Sequence, residues 1–313
     1  KPGASPPPLT SPIVPSVLIG GPSFLPSQGG SARMQRKSQN PDRHSTLSAL
    51  ASCRDTLAAV AALGACPAPR GALKPLLTKD GGHRLPLLKG PVTPTRQGGD
   101  TKAERFFIPG PAGRLEAVLE SEPKAPARAA ALVCHPHPLY GGTMHNKVVY
   151  RATKAALQAG LPTLRFNFRG VGKSHGEFAK GLGERDDAHA ALDFLAGRFH
   201  GLPVAMIGFS FGAVVGLIAG AADPRVGALV GLGVPAGSAD LSFLRGVSKP
   251  KLIVQGTEDF FGPREQVEAL FAALAEPKLV HWVEGADHFF TGKLDEVQAA
   301  VRSFVREFVA SMP

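Results

Sequence analysis

From residue 104 onward, short runs of Val, Leu, Ile and Ala alternate with stretches long enough for several helical turns, and this alternation limits the fold more than any other feature. The runs at 129–134, 162–168, 203–209, 226–232, 251–255 and 278–283 lack the every-other-residue polarity of a half-exposed strand. Runs of this kind suit strands buried on both faces, as in a parallel sheet covered by helices. The segments between them, at 147–159, 184–198, 211–222, 263–275 and 294–309, carry helix signals. Gly160 stands where a C-terminal cap belongs, and Pro263 where a first turn begins. Ala188, Leu192 and Leu195 share one face of the second segment. Leu294, Val297, Val301, Phe304, Val305 and Phe308 share one face of the last. Further upstream, 105–108 and 115–119 read as an antiparallel pair turning across Pro109-Gly110-Pro111. The expected class is α/β: a mostly parallel sheet with helices on its faces, formed by residues 104–313.

Residues 1–103 have a different character. They hold 15 of the 29 prolines, and they are expected to form a disordered, Pro-rich N-terminal extension. They also hold 13 Lys and Arg against 4 Asp and Glu, whereas residues 104–313 hold 22 against 21. Of the net charge of +10, +9 (13 − 4) therefore belongs to the extension, and the rest of the chain is not marked for a polyanion. Phe24 is the lone aromatic residue of the extension, so it offers no stacking platform, and no nucleic-acid partner is expected. The apolar stretch 56–65 followed by Cys66 is similar to an export signal ending in a lipoprotein-type cysteine, but Arg54 and Asp55 directly precede it. A cytoplasmic location is expected, with export or lipid anchoring through Cys66 as the alternative. No apolar run reaches the ~18 residues of a membrane span. The three cysteines form no disulfide framework or metal pair, and Cys134 reads as core.

The chemistry concentrates at Gly208-Phe209-Ser210-Phe211-Gly212, a Gly-x-Ser-x-Gly set between an apolar strand and an apolar helix. That context is what a nucleophile elbow needs, because the serine must stand on a sharp strand-to-helix turn. The second such match, Gly172-Lys173-Ser174-His175-Gly176, has no comparable helix after it. In the elbow, Gly208 and Gly212 remove side chains that would clash, Gly216 is expected to bring the helix close to the sheet, and the Phe211 N–H is expected to point into an oxyanion site. A serine needs a base, and in this kind of fold the acid and then the histidine follow it in the chain. Of the two downstream histidines, His281 lies within a strand and reads as structural. His288 lies in the loop before the last helix and is the candidate base. Asp259, at the end of the 251–255 strand, is the candidate acid, ahead of Glu258 and Asp287. The second oxyanion donor is expected after the 129–134 strand, in His135-Pro136-His137-Pro138-Leu139-Tyr140-Gly141-Gly142, from the His137 backbone N–H. Tyr140, Leu241 and Phe243 are candidate pocket-lining residues. His135, His137 and His145 lack companion carboxylates or cysteines at ligand spacing, so neither a metal nor any other cofactor is expected. Gly170-Val171-Gly172-Lys173-Ser174 falls short of a phosphate-binding loop, since Asn167 stands where its first glycine would be.

The stretches HPHPLYGGTMHNKVVY, LRFNFRGVGKSHGEF, GERDDAHAALDF and GFSFG, in that order, resemble a group of small bacterial α/β-hydrolase superfamily proteins without a cap domain. The resemblance covers residue 104 to the C-terminus. It implies the α/β-hydrolase fold, a triad at Ser210, Asp259 and His288, and a structural turn at Arg169-Gly170-Val171-Gly172. The short connection between Gly233 and Lys251 leaves no room for a large cap. The expected partners are a small ester with a short or medium acyl chain and water. The rivals are a peptidase or thioesterase using the same triad, and a non-catalytic interaction protein that keeps the fold. Oligomeric state is not readable from the chain.

Overall fold

A computed structural model describes residues 101–122 and 126–313. The expected extension, including Cys66, lies almost wholly outside the described residues. Eight strands form one sheet: β1 (Lys102–Gly110), β2 (Gly113–Ser121), β3 (Ala130–Cys134), β4 (Thr163–Phe166), β5 (Val204–Phe209), β6 (Val226–Leu232), β7 (Lys251–Gly256) and β8 (Lys278–Val283). Their order is β1-β2-β4-β3-β5-β6-β7-β8. β1 and β2 are antiparallel to each other, β2 is antiparallel to β4, and all remaining pairs are parallel. The helices are α1 (Lys147–Gln158), α2 (Leu182–Arg198), α3 (Phe211–Ala222), α4 (Arg264–Ala273) and α5 (Leu294–Ala310).

The period-two side-chain alternation of the strands divides the core in two. Ala130, Leu132 and Cys134 of β3 and Met206 of β5 face a layer built by α2, α3 and Val267 of α4. Ala131, Val133, Ala205, Ile207 and Phe209 face the opposite layer, built by α1 and α5. Both layers are apolar, which is why β3 and β5 carry almost no polar residue. Cys134 is fully buried, and burial pushes its thiol up to about 12, an inert core group. Among the described residues no helix is long and apolar enough to cross a membrane.

Several boundaries differ from the sequence expectation for physical reasons. The hairpin turns at Pro111 and Ala112, and the ladder continues through Pro109↔Arg114 and Gly110↔Gly113. Pro109 is tolerated because β1 is an edge strand with no second neighbour for a proline to disappoint. α2 begins at Leu182, because the Glu184 carboxylate reaches back to accept the Gly181 and Ala179 N–H groups. Pro263 caps α4 and lies just outside it. β8 is only half-buried, as the far edge of the sheet allows.

Chain order places the site. From β3 the chain crosses to β4 on one side, then returns past β3 to β5 on the other. Loops leaving the carboxyl ends of β3 and β5 therefore diverge, and this crevice is where an open α/β sheet receives ligands. The turn following β4 is structural, as the resemblance implies. Ser174 Oγ–H donates to the Asn167 carbonyl and accepts the Glu116 N–H, while Lys173 N–H donates to the Glu116 carboxylate. Arg169 beside it makes a paired contact with the buried Asp187 of α2.

Candidate active site

Ser210 stands between β5 and α3 with φ 56° and ψ −120°, left-handed backbone that a non-glycine residue holds only under strain. The neighbours make the turn possible. A Cβ on Gly208 would stand 2.5 Å from Ala213 Cα and closer still to the Gly212 carbonyl oxygen. A Cβ on Gly212 would stand 2.5 Å from the Cys134 carbonyl oxygen and closer still to that of His135. The start of α3 thus lies directly against the loop leaving β3. Gly216 does not carry the close approach expected of it. A Cβ there would lie 3.4 Å from Met206 Cγ, an ordinary contact. Gly220 is the tighter position, at 2.8 Å from Leu229 Cδ2.

The structure brings the three candidate groups together. Ser210 Oγ lies 2.9 Å from His288 Nε2, and His288 Nδ1 lies 2.8 Å from Asp259 Oδ2. A carboxylate only accepts, so Nδ1 carries the proton and Nε2 is left with a lone pair for the serine hydroxyl. All three side chains are buried. The His288 ring is held between Phe261, Phe209 and Phe289, at centroid distances of 4.6, 5.3 and 5.3 Å.

Asp259 has four partners. Oδ1 accepts the N–H groups of Phe261 (2.8 Å) and Gly262 (3.2 Å), and Oδ2 accepts Gln255 Nε2–H (2.8 Å) as well as His288. Gln255 escaped the sequence reading. Fully buried, it accepts the Val234 N–H through Oε1, so it ties β6, β7 and the acid loop together. Its signal was available: a lone amide near the end of an apolar, buried strand is there to satisfy something. Glu258 is exposed, whereas Asp259 is buried. Asp287 accepts from the Phe289 and Thr291 N–H groups and the Thr291 hydroxyl, and so shapes the histidine loop. His281 pairs with Glu296, 3.2 Å away, far from this array in role.

The loop after β3 is fixed by its first histidine. His135 Nδ1–H donates to the Pro136 carbonyl (2.6 Å), and Nε2 accepts the Phe168 N–H (3.0 Å). Both nitrogens serve the protein, which leaves none for a metal. His137 begins a short 3-10 turn, Pro138–Tyr140, and its carbonyl accepts from Tyr140 and Gly142. Its own backbone N–H has no partner among the described residues. Phe211 opens α3, so its N–H has no partner within the helix. The His137 and Phe211 rings lie 4.9 Å apart.

Several large apolar side chains close to this array in the chain are exposed. Leu139, Tyr140, Phe260 and Phe289 are 63, 42, 59 and 57% exposed, and they neighbour His137, Asp259 and His288 in the chain. Phe289 also borders a cavity of about 460 Å³, together with Thr143, His145, Val148 and Leu294. The expected role of Leu241 is corrected: it is buried in the core with Leu244, because the apolar side chains of this segment turn inward. Phe243 packs half-buried on the same cluster.

Burial drives the His135 pKa down to about 4 from the ordinary imidazole value of 6.5. Between these values the unfolded chain binds a proton that the folded one refuses, so the fold gains stability as pH rises from 4 to 6.5 and loses it as pH falls through that window. The expected loss is on the order of 3 kcal/mol for this one group. Urea denaturation at pH 7.5 and pH 4 measures it, and His135→Gln should flatten the dependence; an equally steep dependence in the variant would assign it to other groups.

A family model described as an alpha/beta hydrolase domain matches residues 129–306. The chain belongs to that family. This α/β hydrolase is 37% identical over 212 residues to the uncharacterized protein RP471 of Rickettsia prowazekii (strain Madrid E), an alignment covering 64% of the chain and 88% of the relative. Among solved structures, an alpha-beta serine hydrolase homologue from Coxiella burnetii is 38% identical, with a TM-score of 0.61, over 64% of this chain and 96% of that one. XC6422 from Xanthomonas campestris, described as a serine hydrolase without lid, is 33% identical, with a TM-score of 0.62, over 72% and 100%. The hydrolase fold expected from the sequence is shown, and among the described residues no large cap is inserted.

Proposed function

We propose that this α/β hydrolase is a serine esterase that cleaves carboxylic esters of short or medium acyl chain through an acyl-enzyme intermediate. The observation that carries this is the continuous relay from Ser210 Oγ to His288 to Asp259, at 2.9 and 2.8 Å. His288 Nε2 takes the Ser210 proton as Oγ attacks the ester carbonyl. The carbonyl oxygen, now negative, is received by the N–H groups of Phe211 and His137. As the tetrahedral intermediate collapses, the bond to the alcohol oxygen breaks and His288 gives the alcohol its proton. Water then attacks the acyl-enzyme, losing a proton to His288, which returns it to Ser210 Oγ as the acid departs. Asp259 keeps the imidazole in one tautomer and offsets its transient positive charge, and Gln255 holds Asp259. Water and a small ester are the partners required; no cofactor takes part in the scheme.

The exposed apolar side chains of Leu139, Tyr140 and Phe289, close to His137 and His288 in the chain, favour an aliphatic acyl arm. The test is a series of p-nitrophenyl esters of increasing acyl length. The expected kcat/KM is highest between acetate and octanoate and lower for palmitate. A parent protein inert on all of them but active on thioesters or peptides would move the activity to another acyl bond.

A further inference from the structure

One buried side-chain polar atom in the described residues has no hydrogen-bond partner, and it belongs to His137. His137 Nδ1 accepts the Leu139 N–H at 3.2 Å, so the ring proton sits on Nε2. That Nε2–H is the unpartnered group. Burial holds the His137 pKa down at about 4, so at neutral pH the ring is an uncharged donor. A buried donor without an acceptor costs about 1–3 kcal/mol, and sites that keep one have a use for it.

Its surroundings say where the missing acceptor comes from. The ring lies 4.7 Å from Tyr140, 4.9 Å from Phe178 and 4.9 Å from Phe211, all centroid distances. Aromatic faces are weak acceptors that an oxygen displaces. Tyr140 is 42% exposed and Phe178 is half-buried, so two of the three rings packed on His137 reach the surface. Phe211 directly follows Ser210. The ring of the residue proposed to offer its backbone N–H to the scissile carbonyl oxygen therefore packs against the ring that carries this second donor.

We infer that His137 Nε2–H, uncovered when the Tyr140 ring turns out, donates to an oxygen that the substrate carries next to its scissile carbonyl, so that this α/β hydrolase favours oxygen-substituted esters over their hydrocarbon counterparts. The inference rests on the esterase reading above. The oxygen belongs to the acyl or the alcohol portion, and paired substrates distinguish the two. Methoxyacetate and butyrate p-nitrophenyl esters differ by an ether oxygen in place of a methylene on the acyl side. Methoxyethyl butyrate and butyl butyrate are the alcohol-side counterparts.

The readout is the kcat/KM ratio within a pair, divided by the same ratio for hydroxide hydrolysis, which removes intrinsic reactivity. His137→Asn keeps an acceptor for the Leu139 N–H, and its shorter amide places no donor at the Nε2 position. His137→Gln places an amide donor near the Nε2 position and loses that acceptor. One pair should show a corrected preference for the oxygen in the parent of about tenfold or less, the worth of one net hydrogen bond. The preference should vanish in His137→Asn and persist in His137→Gln, whatever either change does to the overall rate. A corrected ratio near one for both pairs in the parent, or a preference that survives in His137→Asn, overturns the inference and leaves the esterase reading intact. A parent inert on every ester, with Ser210 unreactive toward a fluorophosphonate, removes both.

Discussion

Replacing Ser210 with alanine is expected to lower kcat for ester hydrolysis by ~10⁴–10⁶-fold while leaving the fold in place. Only Oγ is lost. The strained backbone at Ser210 is imposed by the elbow, and an alanine there has no larger side chain to accommodate. His288 keeps its contact with Asp259, so the base remains positioned with nothing to activate. Residual rate would come from the oxyanion donors and from binding. Single-turnover kinetics on p-nitrophenyl acetate, alongside a melting curve, separates lost chemistry from lost structure. A variant that retains a tenth of the parent rate would mean that another nucleophile carries the reaction.

The elbow glycines set the second large effect. Gly212→Ala would press a methyl group into the carbonyls of Cys134 and His135, and Gly208→Ala would press one into Gly212 and Ala213. Every one of these obstacles is backbone, with no side chain to swing aside. Each substitution is expected to cost ~4 kcal/mol or more and to lower Tm by about 10 °C or more. Gly216→Ala is the matched control. The new methyl would meet the flexible Met206 side chain at an ordinary distance, within a helix where alanine is favoured over glycine by roughly 0.5–1 kcal/mol. Thermal denaturation of the three variants should show two large losses and one value at or above the parent. A Gly216→Ala variant as unstable as the others would mean that the helix sits closer to the sheet than these contacts indicate.

These contrasts mark how far the sequence is legible. Strands β3 to β7 are readable because both of their faces are buried, which leaves an apolar run with sharp ends. The nucleophile elbow is readable because its strand and helix flank it directly in the chain. His288 and Asp259 are readable by elimination, since few histidines follow Ser210 and strand-end loops are short. What depends on partners distant in sequence is not readable. Gln255 matters through Val234, Asp259 and Gly262, contacts that no local pattern announces. The fate of Leu241 turns on which way a short turn faces. The hairpin of β1 and β2 runs longer than expected because an edge strand accepts Pro109, and edge position is a property of the sheet. Gly216 looks like a contact glycine from its spacing, whereas Gly220 one turn later makes the tight approach.

The central claim is that Ser210 is an activated nucleophile, and labelling with a fluorophosphonate probe followed by peptide mass spectrometry tests it most directly. One modified peptide is expected, carrying the adduct on Ser210, with labelling abolished in Ser210→Ala and slowed at least a hundredfold in His288→Ala, where the serine has lost its base. An unlabelled parent protein, or labelling at Ser210 that proceeds equally fast without His288, would contradict it.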